Sequence, residues 1–557
     1  MKNLTIVSLF FLSIFTGFAQ DFNAIADEIS NNLQTVTSGK KEYQQELNVI
    51  SPGVASFDIT QVDSKGNTHK TTYEFNFADI DKNTVKPKTK KDLIVVNLYA
   101  SKKQKLIKKT IDDERVSYVD NFQIYATNIE NGRTLADLIK KAIPVSKSIL
   151  EKRLSLSGYN DRLDWIVSHV GEVNLGDKQF TQSLSVNDKF PGSMNFEKIT
   201  QSGKTEKDNN FLFNLSTLNP KQINFEIKGN VFGLKVNTKR NLKVIKKLEN
   251  KNPKSYTNTF TIVCNNIEEA RDLQKVLTDI IPLAKEKFEK SIPTTSNLNN
   301  GYETINSLVN VVDEGTGKYE QNFEGDCVVK FTINGETSKK TYTEEYDFNW
   351  MDLNKNQIKI VNKGKSLVLD VKTAGGKKFI KHLKDEKLNN YTNGFKIYVP
   401  GIEEALIVQK TMEKMIDICV ENDKKAGNTP MNFSQAINLL NDNVKSFEEA
   451  EISYEQSIEL QDNNKVLHYK KTIVGSKSSK DLIYEVNLED LNPKSVNIKV
   501  TGKKVSVEVK TNHLEKIIQF YKDDKIQAYQ NKFEIAAPDI ETARKIKKAM
   551  IKISGKK

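Results

Sequence analysis

The sequence predicts an α+β protein made of four tandem copies of one module: a helix, an antiparallel sheet of six or seven strands and a second helix. The chain has 557 residues, about twice what one hydrophobic core usually supports. A strand with a central Asn occurs four times, at nearly even spacing along the chain. The landmarks downstream of each Asn recur at identical offsets without a gap, which is typical of repeated structural units.

The N-terminal segment 1–19 has the pattern of a signal peptide. Lys2 precedes an apolar run from Leu4 to Phe18, and the small residues Gly17 and Ala19 fit a signal-peptidase site before Gln20. The alternative is a retained membrane anchor, but the run is shorter than the ~20 residues that span a bilayer. We therefore expect a secreted, periplasmic or extracellular protein that has no transmembrane segment after removal of this segment.

The net charge of +12 comes from a lysine-rich composition, with 77 Lys and 7 Arg. Readers of specific nucleic-acid sequences favour Arg, because its planar fork makes bidentate contacts, so we do not expect specific nucleic-acid binding. The four modules carry formal charges of +3, +5, −1 and +4. A solvated lysine surface explains this pattern, and weak attraction to an anionic glycan or lipid is the alternative.

The four modules are predicted from the copies of the Asn strand and from the turn-rich junctions between them. Their ranges are 20–156, 157–293, 294–428 and 429–557. The sequences YEFNF, FLFNL, YDFNW and YEVNL carry the central residues Asn76, Asn214, Asn349 and Asn487. Each Asn is flanked by large apolar residues, so we expect its amide to satisfy backbone groups at a bend, and a ligand role is the alternative.

A second strand follows each Asn at the same offset in every copy. Its twelve alternating apolar positions are Ile94, Val96, Leu98, Phe232, Leu234, Val236, Leu367, Leu369, Val371, Val505, Val507 and Val509. This alternation predicts a strand with one buried face. Three further positions recur at fixed offsets: Lys105, Lys243, Lys378 and Lys516, then Tyr118, Tyr256, Tyr391 and Tyr529, then Phe122, Phe260, Phe395 and Phe533.

Each module is predicted to open and to close with a helix. The opening amphipathic stretches are 22–36, 163–173, 305–312 and 433–444. The candidate caps of the closing helices are Asn128, Asn266, Gly401 and Asp539, and the first turns contain Glu130, Glu268, Glu403 and Glu541. Pro144 and Pro282 predict that the first two closing helices kink or restart.

About seven strands closed by one helix resembles the pleckstrin-homology-like superfold, in the order of its elements. No residue motif specifies that family in this sequence. A generic antiparallel sheet covered by two helices is the alternative. Neither fold would by itself identify a ligand.

Two clusters of polar residues are candidates for a site. Asp79, Asp81 and Asn83 imitate the start of an EF-hand loop, but Thr84 and Lys90 replace the Gly and Glu that such a loop needs. An Asx-type turn explains the cluster better. The recurring Lys and Tyr could form a small binding patch. The alternative is a structural role, in which the Lys snorkels and the half-buried Tyr supports the sheet.

Three Cys and five scattered His predict no metal site and no cofactor. Cys264 replaces a small core residue of the other copies, whereas Cys327 and Cys419 share a module and could pair after export. No recognised catalytic motif accompanies them, so we predict no catalytic residue.

Our preferred interpretation is a non-catalytic exported protein whose modules serve as a binding or structural scaffold in the cell envelope. The sequence does not identify its partner, and an envelope protein or an anionic glycan is the candidate. One alternative is a secreted hydrolase acting on envelope polymers through carboxylates of one module. Another is a lysine-driven binder of anionic glycan or lipid. A hydrolase should have one deep pocket in one module, whereas a scaffold should repeat its surfaces.

Overall fold

The structure is a computed structural model that describes residues 21–176, 178–313, 317–427, 430–449, 452–475 and 478–555. The predicted signal peptide therefore lies outside the described residues. Within these ranges the chain is an α+β protein of mostly antiparallel sheets. No helix of the described ranges is long and apolar enough to cross a membrane.

Helices occur in pairs around each run of strands. They are α1 (21–32), α2 (Ile129–Lys152), α3 (Gly158–Ser168), α4 (Ile267–Ser291), α5 (Leu298–Val309), α6 (Ile402–Gly427), α7 (Phe433–Asn443) and α8 (Ile540–Ile553). The prediction of an opening and a closing helix for each run is confirmed, although α3 and α5 begin earlier than expected. The expected restart is wrong, because α2 and α4 continue through Pro144 and Pro282.

Among the described residues, nine strands lie in the range of the first predicted module and nine in that of the second. The first nine are β1 (Val36–Ser38), β2 (Lys41–Ser51), β3 (Val54–Val62), β4 (Thr68–Asn76), β5 (Pro87–Lys90), β6 (Leu93–Tyr99), β7 (Ile107–Ile111), β8 (Arg115–Val119) and β9 (Asn121–Ala126). The next nine are β10 (Val173–Asn174), β11 (Lys178–Val186), β12 (Ser193–Ser202), β13 (Thr205–Asn214), β14 (Leu218–Lys228), β15 (Val231–Thr238), β16 (Ile245–Glu249), β17 (Asn252–Thr257) and β18 (Thr259–Val263).

The third and fourth ranges repeat this arrangement. The third has β19 (Val311–Asp313), β20 (Gly317–Gly325), β21 (Val328–Thr337), β22 (Thr341–Asn349), β23 (Lys359–Lys363), β24 (Ser366–Lys372), β25 (Ile380–Lys384), β26 (Lys387–Thr392) and β27 (Gly394–Val399). The fourth has β28 (Phe447–Glu449), β29 (Ile452–Gln461), β30 (Val466–Gly475), β31 (Ser478–Asn487), β32 (Asn497–Thr501), β33 (Lys504–Lys510), β34 (Gln519–Lys522), β35 (Lys525–Ile526) and β36 (Lys532–Ala537).

In the first, third and fourth ranges the strands form two antiparallel sheets. In the first range the larger sheet has the order β1-β2-β3-β4-β7-β8 and the smaller has β5-β6-β9, and the third and fourth ranges have the same orders. In the second range, β10 to β13 are neighbours in the order β10-β11-β12-β13, and the smaller sheet has the order β14-β15-β18. The register also recurs, because Val54, Ser193, Val328 and Val466 each lie opposite the recurring Asn.

The prediction of one sheet of six or seven strands agrees with the larger sheet of the first, third and fourth ranges, which has six strands, but it missed the second sheet of three strands. The first strand of each range has only two or three residues, which is too short to show an alternating pattern. The chain also changes sheets at the recurring Asn and returns to the larger sheet two strands later. Local periodicity does not reveal such a change of partner.

A recurring Gln connects the two sheets of every range. Gln45 donates to and accepts from the backbone of Tyr125, at 3.0 Å and 2.7 Å. Gln182, Gln321 and Gln456 likewise donate to the last strand of their own ranges. Because buried backbone groups at a sheet edge need partners, one amide closes the gap between two sheets. Varying spacing upstream of the Asn hides this recurrence in the sequence.

The described chain divides into two compact units. The first comprises the chain up to Asn241 together with Thr259–Phe288, and the second comprises Leu242–Asn258 together with the chain from Glu289 onward. Thus Val244 and Tyr256, at the β16–β17 hairpin, belong to the core of the second unit. The three predicted boundaries between the modules do not coincide with this division, and they stay a prediction. We keep the word module for each predicted range.

Candidate functional site

The recurring Asn ends the fourth strand of each range and caps the 3-10 turn that follows. The turns are Phe77–Asp79, Leu215–Thr217, Trp350–Asp352 and Leu488–Asp490. In each, the Asn side-chain oxygen accepts a hydrogen bond from the backbone N–H two residues on, at 2.8–3.2 Å. A short amide suits this cap because it reaches back to its own backbone. This geometry agrees with the structural interpretation of the four Asn.

In the first unit the same Asn also contacts the next module. The Asn76 Nδ2 donates to Glu268 Oε1 at 3.2 Å, and Glu268 lies in the first turn of α4. Arg271, one turn further along α4, donates to Asp79 Oδ2 at 2.5 Å. Arg153, just after α2, pairs with Glu268 at 2.7 Å. A network of charge-assisted hydrogen bonds therefore joins the first and second modules.

The second unit repeats this junction between the third and fourth modules. Asn349 Nδ2 donates to Glu541 Oε1 at 3.3 Å, and Arg544 pairs with both Asp352 and Glu541. In both units the Asn–Glu and Asp–Arg partners lie 192 residues apart. The junction is therefore a repeated structural feature of two module pairs.

An aromatic residue completes each junction. The ring of Tyr118 lies 5.1 Å from that of Phe232 in the next module. Tyr391 belongs to the hydrophobic core of the fourth module and donates to the carbonyl of Pro538 at 3.4 Å. Tyr256 belongs to the core that contains the third module. The recurring Tyr of the first three modules therefore packs into the module that follows it.

A cavity lies at each of the two repeated junctions. The first has a volume of 250 Å³ and the second 740 Å³. Their linings correspond position by position when Asn76 is aligned with Asn349: the first includes Glu74, Asn76, Leu106, Lys108, Tyr118 and Glu268, and the second includes Asp347, Asn349, Phe379, Lys381, Tyr391 and Glu541. We call these the junction pockets. Each combines an apolar wall with a carboxylate, an amide and a lysine, which is the usual composition of a ligand site.

Burial perturbs the ionisable groups of the junctions. It raises the pKa of Asp79 and of Asp352, and the guanidinium beside each carboxylate opposes that rise. Burial also raises the pKa of Tyr118 to about 12. These shifts follow from desolvation of groups that hold the modules together, so they do not by themselves indicate catalysis.

The second pocket is more acidic than the first. In the first, Lys108 pairs with Glu74 at 2.7 Å, whereas in the second Asp347 has a pKa raised by burial and by Glu345. Asp539 lies where the first pocket has Asn266. Nearby Glu449 has its pKa raised to about 7, chiefly by burial, with Lys381 opposing the rise and Asp539 adding to it. The two pockets are thus lined by residues at equivalent positions, but they differ in charge.

In the first three copies the predicted Lys and Tyr differ in exposure. Lys105, Lys243, Lys378 and Lys516 are exposed, whereas Tyr118, Tyr256 and Tyr391 are buried and Tyr529 is exposed. The buried Tyr faces are therefore not available for stacking on a ligand at the surface. Phe122, Phe260, Phe395 and Phe533 lie in the last strands and are buried.

The Asp–Arg pair of the junction is a feature that reasoning from the sequence missed. In the sequence Asp79 suggests only an incomplete calcium loop, and the structure instead places it on Arg271, while Asp81 caps a 3-10 turn by accepting from the Asn83 N–H. Among the described residues no group of three or more His, Cys, Asp or Glu could hold a metal ion. A signal was present, because three of the seven Arg lie at the same place in their modules: Arg133, Arg271 and Arg544.

A disulfide joins Cys327 to Cys419 in the second unit. The carbonyl of Cys327 accepts from Trp350 N–H at 2.9 Å, as the carbonyl of Gly53 accepts from Phe77 N–H in the first module. There, a Cβ on Gly53 would lie 3.4 Å from the Cβ of Ser146. The disulfide thus lies where the hairpin and the closing helix come close together, and the first module has the same close contact. Cys264 is a free, buried thiol whose pKa burial raises.

A basic groove lies elsewhere in the second unit. It has a volume of 620 Å³, and Ile498, Val500 and Phe379 contribute apolar surface to it. Its lysines are Lys377, Lys378, Lys547 and Lys548. Burial lowers the pKa of Lys547, and the positive charges of Lys377 and Arg544 lower it further. The positive charges of this groove therefore repel one another, and an anion would relieve that repulsion.

A scan against protein-family models and a search of curated proteins found no significant match to this chain.

Proposed function

We propose that this chain is an exported, non-catalytic scaffold protein of the cell envelope, built from the four predicted modules 20–156, 157–293, 294–428 and 429–557. The observation that carries this proposal is the repetition of one junction and one pocket in two module pairs, at Asn76 and at Asn349. A repeated site multiplies weak binding into avidity when both sites can be engaged. An enzyme, by contrast, usually concentrates its polar groups in a single pocket.

Export is supported by two independent features. The segment 1–19 has the composition of a signal peptide, and the Cys327–Cys419 disulfide suits an oxidising compartment. Expression of the full chain in a Gram-negative bacterium, followed by fractionation and N-terminal sequencing, tests this part. We expect a secreted or periplasmic product that begins at Gln20. A cytoplasmic product that retains Met1 would contradict it.

Binding without turnover distinguishes the scaffold from the hydrolase. We would incubate the purified protein with peptidoglycan and with an acidic polysaccharide, and measure both cosedimentation and release of soluble fragments. The proposal predicts cosedimentation with at least one polymer and no fragments. The acidic second pocket is where a hydrolase would have its carboxylates, so release that Asp347→Asn abolishes would establish the hydrolase instead.

The basic groove favours a second candidate function, lysine-driven binding of an anionic polymer. When Asn349 is aligned with Asn76, Lys377 and Lys547 correspond to Gln104 and Gln274 of the first unit. The double variant Lys377→Gln/Lys547→Gln therefore introduces side chains that the same fold already carries there. Its matched control is Lys105→Gln/Lys275→Gln in the first unit.

Heparin binding at low and high salt tests this second candidate. We expect the groove variant to lose at least about tenfold in affinity, the control to lose less than about twofold, and ~500 mM salt to abolish binding by the unmodified protein. Equal losses in both variants would indicate a diffuse lysine surface and reject the groove. The pleckstrin-homology-like resemblance stays an expectation from element order and supports neither candidate.

A further inference from the structure

Each internal junction has two complementary faces. We define the tail face as the recurring Asn, the Asp at the end of the 3-10 turn, and two apolar side chains, which in the first module are Leu106 and Tyr118. We define the head face as the first two turns of the closing helix, which in the second module contribute Ile267, Glu268 and Arg271. In the third and fourth modules the same faces meet through Phe379 and Tyr391 on one side and Ile540, Glu541 and Arg544 on the other.

The fourth module has a tail face that no described residue covers. Tyr529 is 49% exposed and Ile517 is 37% exposed, whereas Tyr118 and Leu106 at the same places in the first module are 9% and 4% exposed. Asn487 directs its amide to its own neighbour Glu489 at 3.3 Å, and not to a following module. These are the groups that the internal junctions bury.

The charge of this tail face is also unmatched. Asp490 corresponds to Asp79 and Asp352, yet no basic side chain of the described residues pairs with it. Partial burial raises its pKa, and the neighbouring Glu489 and Glu515 raise it further. A carboxylate beside two others is best stabilised by a cation supplied from outside.

The first module has the complementary head face, and the described residues leave it uncovered too. Ile129 is 40% exposed, whereas Ile267 and Ile540 at the same position are 8% and 6% exposed. Arg133 lies at the place of Arg271 and Arg544, but within the described chain it pairs with Glu130 of its own helix turn, with both side chains more than 60% exposed. The first module thus presents the cation and the apolar side chain that the fourth module lacks.

We propose that this protein associates head to tail, with the tail face of the fourth module of one copy docking on the head face of the first module of a second copy. Asp490 would pair with Arg133 and Asn487 would donate to Glu130, as their counterparts do in both internal junctions. Tyr529 and Ile517 would cover Ile129, since their counterparts line one pocket together with Ile267 and with Ile540. Such an interface joins two different surfaces, so it leaves one free head and one free tail on every dimer and can extend to a chain or close to a ring. This inference goes beyond the scaffold function and survives if the junction pockets bind no ligand.

Sedimentation velocity of the chain beginning at Gln20 tests the proposal. We expect the mass to increase with protein concentration beyond that of a dimer, over a range up to ~500 µM. Such concentrations are needed because two separate copies lack the covalent connection that gives an internal junction its high effective concentration. The head variant Ile129→Asp and the tail variant Ile517→Asp/Tyr529→Ala should each weaken association at least about tenfold. The control Val186→Asp changes a valine that is 42% exposed in β11 and should leave association unchanged.

Mixing the two variants gives the sharpest result. Each retains one intact face, so an equimolar mixture should form dimers and nothing larger, whereas each variant alone should stay monomeric. Arg133→Asp and Asp490→Arg should each weaken association, and the chain that carries both should recover it, which a folding defect would not allow. A monomer at every concentration, or association that persists in either variant alone, would overturn the proposal.

Discussion

The recurring Phe at the start of the last strand is the residue on which each aromatic cluster converges. In the third module the ring of Phe395 lies 4.8–5.6 Å from those of Phe331, Tyr346 and Phe348, and it is almost fully buried. Aromatic rings at these separations add to the free energy gained by burying apolar surface. The sequence identified this position from its fixed offset alone, and the structure gives the reason for the recurrence.

Phe395→Ala should lower the free energy of unfolding of the third module by ~3–5 kcal/mol, through lost transfer energy and the cavity that remains. Urea unfolding followed by the fluorescence of Trp350, in a Trp165→Phe background, measures this, because Trp350 is buried in the same core. Leu514→Ala, at a side chain that is 56% exposed, is the control and should change stability by less than ~0.5 kcal/mol. A loss below ~1 kcal/mol for Phe395→Ala would contradict its role in the core.

The Asp of the junction gives a second prediction at this scale. Asp79→Ala leaves Arg271 largely buried with Glu268 as its remaining partner, so the first unit should lose ~2–4 kcal/mol. Asp490→Ala removes the equivalent carboxylate of the fourth module, with which no described Arg pairs. At concentrations that keep the protein monomeric, it should change the free energy of unfolding by less than ~0.5 kcal/mol. Hydrogen exchange of peptides in the first and fourth modules compares the two. Equal effects would show that the ion pair does not stabilise the junction.

Glu449 should make the stability of the second unit depend on pH. Its pKa in the folded state is about 7, above its ordinary value of 4.5, so the folded state holds the proton more tightly. The stability that this group contributes is therefore complete below pH ~4.5 and is lost as the pH rises through about 7. Glu449→Gln should stabilise the protein at pH 8 by ~1–2 kcal/mol, less than the full shift implies because solvent screens a partly buried group.

Calorimetry at pH 5 and pH 8 measures this difference. The variant and the unmodified protein should unfold at closely similar temperatures at pH 5, and the variant should unfold at a higher temperature at pH 8. Glu448→Gln, at the exposed neighbouring residue, is the control. A variant that is no more stable at pH 8 would show that Glu449 is well solvated.

At the scale of elements, the hairpin between the second and third strands approaches the closing helix in the first three modules. Gly53 and Gly192 adopt φ values of +90° and +80° there, which a side chain disfavours, and each accepts a backbone hydrogen bond from the residue after the recurring Asn. In the third module Cys327 takes this place and is joined to Cys419 of α6. A covalent link thus replaces the close contact of hairpin and helix in that copy.

Removing this disulfide should destabilise the third module by ~4–5 kcal/mol, because it closes a loop of 92 residues in the unfolded chain. Cys327→Ala/Cys419→Ala, with the Trp350 fluorescence assay described above, measures the loss. The control Cys264→Ala gives the second copy the Ala that the first and fourth copies have at this position. It should lower the stability much less than removal of the disulfide does. A reductant that leaves the unmodified protein unchanged would contradict the contribution of the bond.

At the scale of the whole molecule, the chain repeats itself in two ways. The strand pattern around the recurring Asn occurs four times, while the complete junction, with its pocket and ion pair, occurs twice. The faces that meet within each pair also lie uncovered on the first and fourth modules, at Ile129 and at Tyr529. A molecule with unmatched complementary faces is suited to assembly, and the mixing experiment decides whether it assembles in this way.

The sequence by itself determined the α+β class, the fourfold recurrence of one strand pattern and the apolar faces of the strands and closing helices. Those features depend on period-two and helical patterns and on cap residues, which are local in the chain. Only the tertiary structure decided the strand count, the smaller second sheet of each copy and the pairing of Asp79 with Arg271. These depend on which residues meet across distant parts of the chain, and side-chain spacing carries no information about contacts at that range. The recurring Tyr shows the boundary between the two: its position could be read from the sequence, but whether it is buried depends on the neighbouring module that covers it.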